Sequence, residues 1–123
     1  MRTVVLLASI AILALAGCVA DRGSADCSAD DVTIELALTA DSLTPDNPSA
    51  CRDQQVTLRI DSETDGFLHI HGYDDQVPAT EVADGEETVL EFTASRSGQY
   101  PIEFHPADAP EGVSVGILTI DER

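Results

Sequence analysis

Two histidines placed two residues apart are the part of this sequence that points most directly to chemistry. His69 and His71 lie in the stretch FLHIHGYDD, which otherwise alternates like a β-strand. In a strand, residues i and i+2 point to the same face, with Cα atoms about 6.6 Å apart. Two imidazoles at that spacing can converge on one divalent metal ion. The pattern is also typical of half-buried strand histidines that hydrogen-bond to backbone or acidic groups, and the spacing leaves both interpretations open.

Patterns for catalysis are much weaker. The sequence contains no Ser–His–Asp motif, no glycine-rich phosphate loop and no nucleophile elbow. Ser114 lies in Val-Ser-Val-Gly, which is typical of a strand and not of a strand-to-helix turn. The adjacent acids Asp74 and Asp75 are expected by chance in a chain with 23 acidic residues. We therefore do not expect an enzyme.

The N-terminal sequence MRTVVLLASIAILALAGC predicts export from the cytoplasm. Arg2 is followed by an apolar run, and small residues precede Cys18, as in a secretory signal peptide. The run is shorter than the roughly 20 residues that a spanning helix needs. LAGC resembles the lipobox of bacterial lipoproteins, which implies a signal peptide over 1–17 and a lipid anchor on Cys18. The protein is then expected on the outer face of a membrane in the cell envelope.

The other two cysteines are expected to pair. Outside the cytoplasm, Cys27 and Cys51 would form a disulfide, and closing this loop should contribute roughly 3 kcal/mol. The alternative, two thiolate metal ligands, needs more partners than this region offers. The small, polar residues over 18–27 predict a short tether that keeps the folded domain, 28–123, close to its membrane.

Charge excludes one class of partner. The chain has 23 acidic residues, 6 arginines and no lysine, for a net charge of −17. Nucleic acid is therefore not an expected partner, because phosphate contacts need Lys and Arg. An acidic surface attracts cations or basic partners, although a solvated acidic surface alone is the simpler interpretation.

The domain is predicted to be all-β. Apolar residues alternate with polar ones in several short segments separated by turn residues, and none has helical periodicity. The predicted strands cover 32–39, 56–60, 67–73, 88–93, 100–104 and 113–120, with a short irregular strand at 80–82 and a bulge near 116–117. This pattern predicts a β-sandwich or small barrel of six to eight short strands. Its core should consist of Val, Ile, Leu and Ala with four aromatic residues, Phe67, Phe92, Tyr100 and Phe104.

The order of these segments resembles the cupredoxin-like family. QQVTLRIDSETDGFLHIHGYD is similar to the middle of such a domain, and LEFTASRSGQYPIEFHP with VGILTI is similar to its end. The resemblance covers 32–120 and implies a Greek-key β-sandwich of about seven or eight strands. His71-Gly72 matches the position where the family's first copper ligand tends to fall.

The chain departs from the family's copper-binding pattern in one loop. Pro106 follows His105 where the family has a ligand Cys, and the loop over 107–112 contains neither His nor Met. A blue-copper site needs a thiolate ligand. We therefore do not expect blue-copper electron transfer.

The resemblance implies that His105 lies on a segment next to the His-x-His strand. His69, His71 and His105 could then share one surface, with an oxygen ligand from Asp74, Asp75 or Glu103. Such a set would suit Cu(II) or Zn(II). The sequence thus predicts an envelope lipoprotein with a cupredoxin-like domain that binds copper or zinc. The alternative is a metal-free accessory module that contacts an envelope protein through its loops.

Overall fold

The computed structural model describes residues 25–109 and 111–123. The predicted signal peptide over 1–17 and the predicted lipidation site, Cys18, lie outside the described residues, as does most of the predicted tether. In the part that is described, no helix is long and apolar enough to cross a membrane.

Nine strands, and no helix, make up the described part of the chain. They are β1 (Asp31–Leu38), β2 (Leu43–Thr44), β3 (Ser49–Cys51), β4 (Gln55–Ser62), β5 (Gly66–Ile70), β6 (Thr80–Val82), β7 (Glu87–Thr93), β8 (Gly98–Pro106) and β9 (Val113–Asp121). The predicted all-β class is confirmed. Two very short strands, β2 and β3, were not among the predicted strands.

The strands form two sheets packed as a sandwich. One sheet has the order β2-β1-β4-β7, and the other has the order β3-β9-β8-β5-β6. Most neighbours are antiparallel, but β1 pairs with β4 and β3 pairs with β9 in parallel. The five-stranded sheet matters for function, because both segments that carry histidines, β5 and β8, are neighbours within it.

Strand alternation explains the core between the sheets. In β4, Val56, Leu58 and Ile60 are buried while the residues between them are more exposed. In β8, Ile102 and Phe104 are buried in the same way. Because side chains alternate between faces along a strand, burying one set presents the other set to solvent.

Two aromatic residues depart from the prediction. Phe67 was expected in the core but is 47% exposed, because it lies on the outer face of β5. Alternation over the predicted strand 67–73 would put Tyr73 on the face of the histidines, but Tyr73 is fully buried. The strand ends at Ile70, and Gly72 adopts a φ of 94°, so the alternation does not continue to Tyr73. Instead, the Tyr73 hydroxyl donates a hydrogen bond to the Arg96 carbonyl at 3.0 Å.

The last strand contains the irregularity that its sequence predicted. Ile102 pairs with Gly116 while Glu103 pairs with Ser114, so Val115 is the extra residue on β9. An extra residue of this kind bends and twists its strand. The alternation therefore resumes with Leu118 and Ile120 in the core.

The N-terminal segment is fastened to the sandwich before β1 begins. Cys27 and Cys51 form the predicted disulfide, with Cα atoms 5.4 Å apart. Beside it, the fully buried Gln54 side chain accepts a hydrogen bond from the Cys51 amide at 2.7 Å. The Gln54 amide donates to the carbonyls of Asp26 at 2.8 Å and Ala29 at 2.9 Å. One side chain thus satisfies three backbone groups around the cross-link.

We expect Gln54→Leu to lower the free energy of unfolding by about 2 kcal/mol, because it leaves the buried Cys51 amide without its acceptor. The matched control is Gln55→Leu, where the exposed side chain bonds to the Thr93 hydroxyl and the cost should be about 0.5 kcal/mol or less. Urea unfolding of both variants measures the difference. Equal losses in the two variants would contradict this role of Gln54.

Candidate metal centre on the five-stranded sheet

The antiparallel pairing of β5 and β8 brings the histidine-bearing segments together. In its register, His69 lies opposite Glu103 and Phe67 lies opposite His105. Residues directly opposite each other in an antiparallel pair point to the same face. Leu68 and Phe104 face the core. The side chains of their neighbours along the strands therefore point outward from the sheet: Phe67, His69, Glu103 and His105.

Two imidazoles and one carboxylate meet on this face. The Nε2 atoms of His69 and His105 are 3.3 Å apart. The His105 Nε2 atom is 2.9 Å from Oε1 of Glu103. One ligand atom from each of these three residues lies within 4.8 Å of the others, as a shared metal ion requires.

His71 lies beside this group rather than inside it. Its Nε2 atom is 2.6 Å from Oε2 of Glu103, and its ring centroid is 4.5 Å from that of His69. Because an ionised carboxylate only accepts hydrogen bonds, the His71 Nε2–H donates to Glu103. That bond engages Oε2 and leaves Oε1 directed toward His105.

Asp74 determines which nitrogen of His69 faces the cluster. The Asp74 Oδ1 atom is 3.3 Å from Nδ1 of His69. A carboxylate acceptor at that position assigns the ring proton to Nδ1, and the lone pair is then on Nε2. Metal-ligating histidines in proteins commonly donate their second ring N–H to a carboxylate in this way.

The two carboxylates of the cluster are stabilised in their ionised forms. The hydrogen bond from His71 lowers the pKa of the Glu103 carboxyl below its usual value. The hydrogen bond from His69, helped by one from the Gly72 amide, lowers the pKa of Asp74. Both groups are therefore negatively charged acceptors at neutral pH, the form in which a carboxylate binds a cation.

The donor distances match those around one ion. Donors about 2.0 to 2.1 Å from a metal are about 2.9 Å apart at a right angle and about 3.3 Å apart at a tetrahedral angle. The separations at His105, 2.9 Å to Glu103 Oε1 and 3.3 Å to His69 Nε2, equal these two values.

Gly112 is the residue of the site that sequence reasoning missed. A Cβ atom at this position would overlap Oε1 of Glu103 and lie 2.6 Å from Cε1 of His105. The loop between β8 and β9 packs directly against Glu103 and His105 at this point. Only glycine leaves both side chains in their positions. The sequence offered no signal for this, because the contact depends on how that loop packs.

The structure thus brings together His69, His105 and Glu103, with His71 and Asp74 each bonded to one of them. Asp75 is not in the group of donors that meets within the described residues. Cys27 and Cys51 bond to each other, so neither offers a thiolate. The centre therefore has nitrogen and oxygen donors only.

We expect Gly112→Ala to displace the Glu103 carboxylate from His105 at little cost to stability, about 1 kcal/mol or less, because the overlapping atom ends a flexible side chain. NMR spectra of the histidine ring nitrogens measure the change, and urea unfolding measures the stability. The control is Glu111→Ala, an exposed neighbour in the same loop. His105 signals that are the same in Gly112→Ala and the native protein would contradict the prediction.

No protein-family model matches the sequence, and no curated protein matches it. The fold, in contrast, is similar to several solved structures. One is an auracyanin from the photosynthetic bacterium Roseiflexus castenholzii, with a TM-score of 0.55 and 17% identity over 79% of this chain and 98% of that chain. Another is a copper binding protein in its apo form, with a TM-score of 0.58 and 14% identity over 76% of this chain and 90% of that chain.

A multicopper oxidase is also similar, with a TM-score of 0.56 and 15% identity over 75% of this chain. The match covers 42% of the oxidase, so this chain spans less than half the length of that protein. Identities this low bear on the fold and not on activity. The structural similarities and the two-sheet topology show that the described domain has a cupredoxin-like β-sandwich fold, as its sequence predicted.

Proposed function

We propose that this chain binds one Cu(II) or Zn(II) ion through His69, Glu103 and His105. The observation that carries the proposal is the meeting of two imidazole Nε2 atoms and one carboxylate oxygen at separations suited to a common ion. His71, which was also predicted as a ligand, acts in this proposal by holding Glu103 in position. Two of the similar structures are named as copper proteins, which supports copper as the first ion to test.

The donor types favour Cu(II) and Zn(II) over Cu(I). Imidazole nitrogen suits copper and zinc, whereas Cu(I) is selected by soft sulfur ligands. The described residues contain two cysteines, both in the disulfide, and no methionine. The same composition argues against a blue-copper centre, which needs a thiolate bonded to the metal. The function proposed is therefore metal binding without blue-copper electron transfer.

We place this function in the cell envelope, on a lipid anchor. Support comes from the LAGC sequence, whose Cys18 would carry the lipid, and from the disulfide, which suits an oxidising compartment. Only a short stretch of sequence separates Cys18 from the disulfide at Cys27, so the folded domain would remain near the membrane surface.

Calorimetric titration of Cu(II) and Zn(II) tests the metal proposal on a soluble form, residues 20–123, which retains every core residue described above. We expect one ion per chain with sub-micromolar affinity. His69→Ala/His105→Ala should weaken binding at least a hundredfold, because it removes both nitrogen donors. His71→Ala should weaken it about tenfold to a hundredfold, as expected when a group that orients a ligand is removed.

Glu81→Gln is the control for loose binding to acidic groups, since Glu81 is exposed on β6 of the same sheet. It should leave the affinity unchanged. Weak binding that is equal in the native protein and the double histidine variant would refute a site at these residues.

A metal-free accessory module is the second candidate. Among the described residues, three of the four exposed large apolar side chains lie on β5 and β9 of the sheet that carries the cluster: Phe67, Val113 and Ile117. Moreover, Glu103 accepts a hydrogen bond from His71 and contacts His105. These features would suit contact with a protein partner, and a failed metal titration would favour this function.

Lipid anchoring has a separate test. In a bacterial host given labelled fatty acid, we expect the native protein to take up the label and to partition into the detergent phase. Cys18→Ser should do neither, because it lacks the thiol that would carry the lipid. The control is Cys27→Ser/Cys51→Ser, which removes the disulfide and should still be labelled. Label retained by Cys18→Ser would place the modification elsewhere.

A further inference from the structure

The three donors of the candidate centre all approach from the sheet. His69 and Glu103 extend from opposite positions on β5 and β8, and His105 follows two residues later on β8. Their side chains are 16%, 27% and 38% exposed, so solvent reaches the cluster from the outer side. An ion between them would be held from the sheet, with Gly112 packed against Glu103 and His105 and the remaining side reached by solvent.

The number of protein donors also leaves a coordination position open to an outside ligand. Within residues 25–109 and 111–123, no fourth His, Cys, Asp or Glu joins the group of three. Structural zinc sites are closed by four protein ligands, whereas sites with three keep a position for water or an outside ligand. His71 and Asp74 do not fill this position as placed, because each is hydrogen-bonded to one of the three donors.

An aromatic side chain flanks this open side. Phe67 is the register partner of His105, which places the two side chains next to each other on the outer face. Phe67 is 47% exposed, so much of its ring is free to contact another molecule. Aromatic rings pack favourably against one another in offset or edge-to-face geometry.

Charge favours a neutral donor over an anion. Glu103 and Asp74 already place two carboxylates in the cluster, and the whole chain has a net charge of −17. The two carboxylates already balance the charge of a divalent ion, so an anionic ligand would add net negative charge to acidic surroundings. A neutral nitrogen heterocycle adds no charge and has a flat face for Phe67.

We infer that an ion bound here keeps one coordination position for a neutral aromatic nitrogen donor, the imidazole ring of a second molecule, with Phe67 forming one wall. This inference rests on the proposed metal site. A histidine side chain of a partner protein has the required chemistry. The bound ion would then be shared between this domain and its partner.

The test is titration of the Cu(II)-loaded soluble form with imidazole, followed by its visible absorption and electron paramagnetic resonance spectra. We expect a saturable change with one imidazole bound per copper, while ultrafiltration shows that copper stays on the protein. Phe67→Ala should bind copper as the native protein does but bind imidazole about threefold to tenfold more weakly.

Val89→Ala is the matched control, because Val89 is also 47% exposed but lies on β7 of the other sheet. It should bind imidazole as the native protein does. Spectra that imidazole leaves unchanged, copper that imidazole removes, or equal imidazole affinity in Phe67→Ala and the native protein would each overturn the inference. Failure of copper to bind at all would instead be failure of the proposed function, which the calorimetric titration detects first.

Discussion

The antiparallel register between β5 and β8 is the constraint on which both the core and the candidate centre depend. It sets Leu68 opposite Phe104 on the inner face and His69 opposite Glu103 on the outer face. Because side chains alternate with a period of two, a slip of one residue would exchange the faces. The hydrophobic effect that buries Leu68 and Phe104 therefore also fixes which polar groups meet outside. Packing energy in the core holds the geometry of a site that lies on the surface.

Local alternation made much of this predictable, and long-range packing accounts for what was missed. Ile102 and Phe104 are apolar and were predicted to face the core. Alternation then puts Glu103 and His105 together on the outer face, so their shared face could be derived from sequence. The same alternation puts Phe67 on the face of His69, so its exposure could also be derived, and the expectation of burial rested only on its aromatic character. Gln54 and Gly112 gave no signal, since the role of each depends on segments distant in the chain.

Hydrogen bonds and close contacts hold the polar side chains of the cluster together. Glu103 lies between His71 and His105 and contacts both through different oxygens, while Asp74 orients His69 from the opposite side. Such hydrogen bonds reduce the cost of leaving several polar rings together on a sheet. Binding of the proposed ion would therefore replace some of these contacts.

The fastening of the N-terminal segment has a mechanical consequence. Cys27 precedes β1, and its bond to Cys51 leads into β3, which pairs in parallel with β9. The Arg123 side chain adds hydrogen bonds to the carbonyls of Cys27 and Ala29. Tension applied through the N-terminal segment therefore passes through a covalent bond into the five-stranded sheet. The force does not pass through β1, so we expect that β1 is not the first strand to detach from its sheet.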